Sequence, residues 1–148
     1  MKHGHVVTQL ALPEGAQAFA LAGDWTALDR VMREAIEHRL VPLLKTHKQF
    51  ETIEHMLALR DGSDPEEEDG IWHDDGSRVL AFSWSLNFFG SPSGGTLGIR
   101  PRGTTDVIEL GPFDPGTLVI FQTGIDGFEH RTSRVTHGKR LVCAGWCS

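Results

Sequence analysis

From residue 71 onward the chain repeats one texture: a short apolar or alternating run, then a turn built on Gly or Pro. The runs are RVLAFSWSLNF (78–88), GGTLGIRP (94–101), DVIELG (106–111), PGTLVIFQT (115–123), HRTSRVT (130–136) and KRLVCAGW (139–146). Alternation sends successive side chains to opposite faces of a strand, and turns this close together favour strands over helices. Such a stretch is expected to fold as a sandwich or jelly roll. The 17 glycines of the sequence suit it, because Gly adopts turn conformations that other residues resist.

The first sixty residues read differently. Residues 5–12 suit an edge strand stopped by Pro13. From Asp24, an N-cap residue, Leu28, Val31, Met32, Ala35, Ile36 and Leu40 recur at three- and four-residue steps, which predicts a helix that Pro42 ends or kinks. FETIEHMLALR (50–60) is ambiguous; Met56–Leu59 suits a strand entering the next region. DGSDPEEEDG (61–70) has no apolar side chain and reads as a solvated, mobile loop, placed where a lid could also lie. The expected plan is one domain over 1–148. Residues 1–60 form an N-terminal helical layer with an edge strand, 61–70 an acidic loop, and 71–148 a mainly β core of double-stranded β-helix (jelly roll) type.

A net charge of −6 argues against nucleic acid or an anionic membrane as partner, since either needs a basic face. No apolar run approaches a membrane span, and the N-terminal residues do not read as a secretory signal, so a cytoplasmic protein is expected. Cys143 and Cys147 are spaced unlike a zinc site and should be free thiols.

Chemistry enters with IWHDDGS (71–77). On an extended segment His73 and Asp75, two apart, point to one face. Fifty-five residues after Asp75 comes His130. Two imidazoles and one carboxylate are the donors of the facial triad of non-haem Fe(II) oxygenases, which leaves coordination positions open. Arg140, ten residues beyond His130, offers a planar guanidinium suited to two-point pairing with a carboxylate, such as the distal one of 2-oxoglutarate. For His130 and Arg140 to share a face, the strands around them need a three-residue turn, Thr136-His137-Gly138, with Gly138 at positive φ and Arg140 opposite Arg134.

With these residues in place, the sequence resembles the 2-oxoglutarate- and Fe(II)-dependent dioxygenases, in particular their prolyl 4-hydroxylase-like branch, over residues 71–148. The shared pattern is His73-Asp74-Asp75, then Leu86-Asn87, then Gly94-Gly95-Thr96-Leu97. A turn at Pro115-Gly116 precedes a strand ending at Phe121, and the close is His130, Val135, Gly138, Arg140 and Gly145-Trp146. Two positions depart from it. Arg134 stands where Pro is frequent, and Ser85 where a Tyr commonly helps hold 2-oxoglutarate; the chain has no Tyr.

The resemblance implies Fe(II) on His73, Asp75 and His130, with 2-oxoglutarate anchored by Arg140 and O2 as co-substrate. It also implies hydroxylation of an aliphatic carbon with release of succinate and CO2. Asp75, present where halogenating relatives have a small residue, points to hydroxylation. The substrate would be a small molecule or an amino-acid or peptidyl group, with Trp72, Trp84, Arg100 and Arg102 as candidate contacts. Two other readings stay open: a cupin-like metal enzyme without 2-oxoglutarate, and a non-catalytic β-sandwich binding module.

Overall fold

Asp24 starts the longest helix as its side chain allows, accepting a hydrogen bond from the Ala27 N–H at 3.2 Å. In this computed structural model, which describes residues 1 and 3–148, strand β1 (His5–Gln9) comes first, then α1 (Ala16–Ala22) and α2 (Trp25–Ala35). The helix does not stop at Pro42. A π-helical turn, Ile36–Leu40, passes into α3 (Val41–Lys45). Proline lacks an N–H and crowds the carbonyl four residues back. The wider turn, with Val41 N–H reaching Ile36 O, accommodates it.

The remaining elements are strands: β2 (Ile53–Asp61), β3 (Leu80–Ser85), β4 (Ser93–Gly94), β5 (Leu97–Pro101), β6 (Ile108–Leu110), β7 (Thr117–Gln122), β8 (Phe128–Thr132), β9 (Val135–His137) and β10 (Lys139–Cys147). The ambiguous stretch 50–60 is therefore a strand from Ile53 onward. The strands make a five-stranded sheet in the order β1-β7-β3-β10-β2, a three-stranded sheet β6-β5-β8, and the pair β4-β9. Among the described residues, no helix is long and apolar enough to cross a membrane.

Alternation along the central strands sorts two layers. Phe82, Trp84, Leu118, Ile120, Leu141 and Cys143 face the helices and pack with Leu28, Met32, Ile36 and Leu40. Ala81, Val119 and Phe121, one residue out of step, face Leu97 and Ile99 of the smaller sheet. The second layer is thin. Beside it, between β2, β10 and β8, a cavity of about 540 Å³ remains open.

Two expectations are corrected. β9 and β10 form no hairpin: β9 pairs with β4, β10 lies between β2 and β3, and Arg140 faces Arg60 rather than Arg134. Gly138 does adopt positive φ, at 76°. It lies between β9, in the two-stranded pair, and β10, in the five-stranded sheet, so His130 and Arg140 line one cavity from different sheets instead of sharing one ladder.

The acidic loop is not free in solvent. Asp61 and Asp64 fold it through bonds to Ser63 N and Glu66 N, both 2.9 Å. It then docks along residues 132–135. Glu67 accepts from Val135 N (2.6 Å), Asp69 from Arg134 N (2.8 Å), and Gly70 N–H donates to Thr132 O (2.8 Å). Its carboxylates find backbone donors far away in sequence, which composition alone does not reveal.

Candidate functional site

His73 joins β8 by an isolated antiparallel bridge to His130, with N–H to O bonds of 3.2 and 2.9 Å in the two directions. Its Nδ1 lies 2.7 Å from Ile71 O. A carbonyl only accepts, so Nδ1 is the donor here and Nε2 is the nitrogen turned toward Asp75. Asp75 is not reached by strand alternation. Its φ is 63°, followed by Gly76 at 61°, so the chain turns left-handed there and swings the carboxylate back toward the imidazoles. Aspartate tolerates this conformation better than most residues. Thr123 Oγ1 holds the turn, 2.8 Å from Asp74 O and 3.3 Å from Asp75 Oδ2.

The three side chains converge. His73 Nε2 is 3.4 Å from Asp75 Oδ1, and His130 Nε2 is 3.2 Å from Asp75 Oδ2. The imidazole centroids are 4.2 Å apart, and one donor atom from each of the three residues lies within 4.8 Å of the others. Asp75 and His130 are largely buried, whereas 53% of the His73 side chain is exposed, so the group opens to solvent on that side. Burial pushes the His130 imidazole down to about 4, with the neighbouring His73 adding to the effect and Asp75 opposing it. At neutral pH both His130 ring nitrogens are therefore not protonated together, and one keeps a lone pair. Two nitrogen donors and one oxygen donor, close together and open on one side, suit an octahedral first-row metal.

Arg140 lines the same cavity and is 6% exposed. Burial, and then the charge of Arg60, lower its affinity for the proton to about 10, with Glu67 opposing; it remains a cation at neutral pH. Among the described residues its guanidinium makes no ion pair and no side-chain hydrogen bond, while Arg60 is bound to Glu67 at 2.9 Å. Leu97, Phe121 and Val142 give the cavity apolar walls.

Other expected residues lie elsewhere. Trp84 is buried in the helix-side core with its N–H on Leu10 O. Trp72 lies against the outer side of the small sheet, Arg100 pairs with Glu129 at 2.8 Å, and Arg102 reaches Asp74 at 3.3 Å. None of the four lines the cavity. Arg60, Arg78 and Trp146 do. Arg78 Nη1 sits 3.5 Å from Asp75, with its guanidinium over the Trp146 ring at 4.3 Å. Arg78 follows His73 by five residues, and no spacing rule singles it out. Ser85 donates to Phe113 O. Asn87 joins Phe113 O to Leu141 N, fixing the chain next to Arg140.

By sequence, no family model and no curated protein matches the chain. By structure, a prolyl-4-hydroxylase from Pseudomonas putida matches at TM-score 0.68 and 21% identity, over 98% of this chain and 84% of that one. The chain has the prolyl 4-hydroxylase fold. A prolyl hydroxylase from Trichoplax adhaerens, solved with a peptide fragment of the hypoxia inducible factor oxygen degradation domain, shares this fold at TM-score 0.53 and 18% identity, over 98% of this chain and 63% of that one. So does a 2OG-Fe(II) oxygenase family oxidoreductase from Burkholderia pseudomallei, at TM-score 0.62 and 14% identity, over 82% and 57%. The chain thus spans less than two thirds of the Trichoplax and Burkholderia proteins. Its resemblance to the prolyl 4-hydroxylase-like oxygenases lies in the fold as well as in the motifs.

Proposed function

We propose that the chain is an Fe(II)- and 2-oxoglutarate-dependent oxygenase whose sheets form a double-stranded β-helix within one domain, 1–148. The observation that carries the reading is Arg140. A buried guanidinium without a partner is costly unless an anion arrives to pair with it. The space it lines leads to two imidazoles and a carboxylate. A keto dicarboxylate satisfies both ends. A cupin-like enzyme without 2-oxoglutarate leaves Arg140 unexplained.

His73, Asp75 and His130 would hold the iron. The Ile71 carbonyl orients His73, and burial keeps His130 free of a second proton. Arg140 fixes the far carboxylate of 2-oxoglutarate, and the apolar walls exclude water. When bound, Fe(II) and 2-oxoglutarate supply the oxidation of an aliphatic C–H bond by O2, with release of succinate and CO2. Substrate enters on the exposed His73 side, where Arg78 and Trp146 meet it. The substrate is a small molecule or an amino-acid or peptidyl group; the peptide carried by the Trichoplax neighbour supports the peptidyl form. Two free, buried cysteines suit a cytoplasmic setting.

Anaerobic addition of Fe(II) and 2-oxoglutarate should give a weak visible charge-transfer band. Under air, uncoupled succinate release should disappear in His130→Ala and weaken strongly in Arg140→Ala. No band, or turnover indifferent to both changes, overturns the reading.

A further inference from the structure

We propose that Trp72 is a positioning residue, a latch that holds His73 opposite His130. The proposal rests on the metal-centre reading above. Between Asp61 and Leu80 the chain forms no strand; the bridge at His73 and the Gly70 N–H on Thr132 O are its backbone bonds with β8 among the described residues. With half its side chain exposed, His73 gains little from its own packing. Thr123 and Gly124 hold Asp74 O on one side of it, and Trp72 is its neighbour on the other.

The bridge sets the register of its neighbours. Opposite His73 stands His130, so in an antiparallel pair Trp72 falls beside Arg131. Alternation then turns His73 and His130 inward and Trp72 and Arg131 outward. On the outer side the indole lies over Gly98, which is paired with Arg131. A Cβ at Gly98 would come within 3.2 Å of Trp72 Cη2, so the missing side chain makes the floor. Arg100, two residues along the same strand, puts its guanidinium carbon 4.1 Å from the ring centroid, and Arg131 does so at 4.9 Å. Glu129 fixes Arg100 at 2.8 Å. The indole is thus held by a floor and two cations, and one cation sits on β8 next to His130. The latch ties the first imidazole to the strand that carries the second.

The test is titration of the metal-free protein with Co(II), read by visible absorption, beside thermal melting. Trp72→Ala should lower Co(II) affinity about tenfold or more, and Trp72→Phe should restore most of it. Trp84→Phe, which loosens the helix-side core, should lower Tm and leave Co(II) affinity in place. Affinity unchanged in folded Trp72→Ala, or lost equally in Trp84→Phe, overturns the latch. Should Trp72→Ala fail to fold, the double variant Arg100→Gln/Arg131→Gln removes the two cations and keeps the indole. Weakened Co(II) binding there supports the latch, and unaltered binding overturns it. If the wild-type protein binds no Co(II), the metal-centre reading itself falls, and the latch with it.

Discussion

Arg60 and Arg140 stand directly opposite each other on neighbouring antiparallel strands, and both side chains line one cavity. Like charges so placed repel. The conflict is settled by Glu67 from the acidic loop, whose side chain is 8% exposed and accepts from Arg60 Nε at 2.9 Å and Val135 N at 2.6 Å. One cation is neutralised and tied down; the other stays available. Glu67→Ala should therefore lower stability by about 2–3 kcal/mol, because it leaves the Arg60 cation on carbonyls alone, without a counter-charge, and strands a backbone donor. Glu67→Gln, which still accepts from Val135 N, should cost less. Urea unfolding of the two variants checks the order.

Thr123 holds the left-handed turn at Asp75 through one hydroxyl shared between Asp74 O and Asp75 Oδ2. Thr123→Val keeps the shape and removes the donor. Metal affinity should fall about tenfold, while stability changes by about 1 kcal/mol. Co(II) titration alongside a thermal melt separates the two effects.

Gly145 sits inside β10 between a neighbouring backbone and a ring. A methyl group there would run into Glu54 O and the Phe82 side chain. Neither can give way without moving β2 or the helix-side core, so Gly145→Ala should destabilise the protein by about 2 kcal/mol or more. The urea midpoint reads this directly.

Cys143 and Cys147 are fully buried, and burial raises both thiols from 9.0 to about 12. Between those values the unfolded chain has released protons that the native chain keeps, so the native state binds more and stability falls as pH rises. The contribution is complete below pH 9 and is lost on the way to pH 12. The urea midpoint should drop above pH 9, and less steeply in Cys143→Ala/Cys147→Ala. At pH 8, iodoacetamide should modify neither thiol until the protein is unfolded.

Much of the layout is legible in the residue order. The Asp24 cap, the stepped apolar residues of the helix, the edge strand at the start and the β texture after residue 71 are local patterns. Local patterns survive folding because backbone sterics and alternation act within a few residues. Contact between distant segments is not legible in this way. The acidic loop reads as solvated because the Val135 and Arg134 amides that receive it lie more than sixty residues away. Proximity in sequence points Trp72 and Trp84 to a substrate pocket, but the bridge register turns Trp72 to the outer face and the helix-side core takes Trp84.

Residue order alone indicates which groups can meet: two imidazoles, a carboxylate and an arginine, in an order that resembles that of a known family. How they meet is a property of the folded chain. Spacing puts His130 and Arg140 on one face through a hairpin turn; instead the chain crosses at Gly138 and sets them on different sheets. Alternation puts His73 and Asp75 on one face of a strand; a left-handed turn brings them together. The reason is that strand pairing and sheet packing minimise free energy over the whole chain, whereas spacing constrains only neighbours.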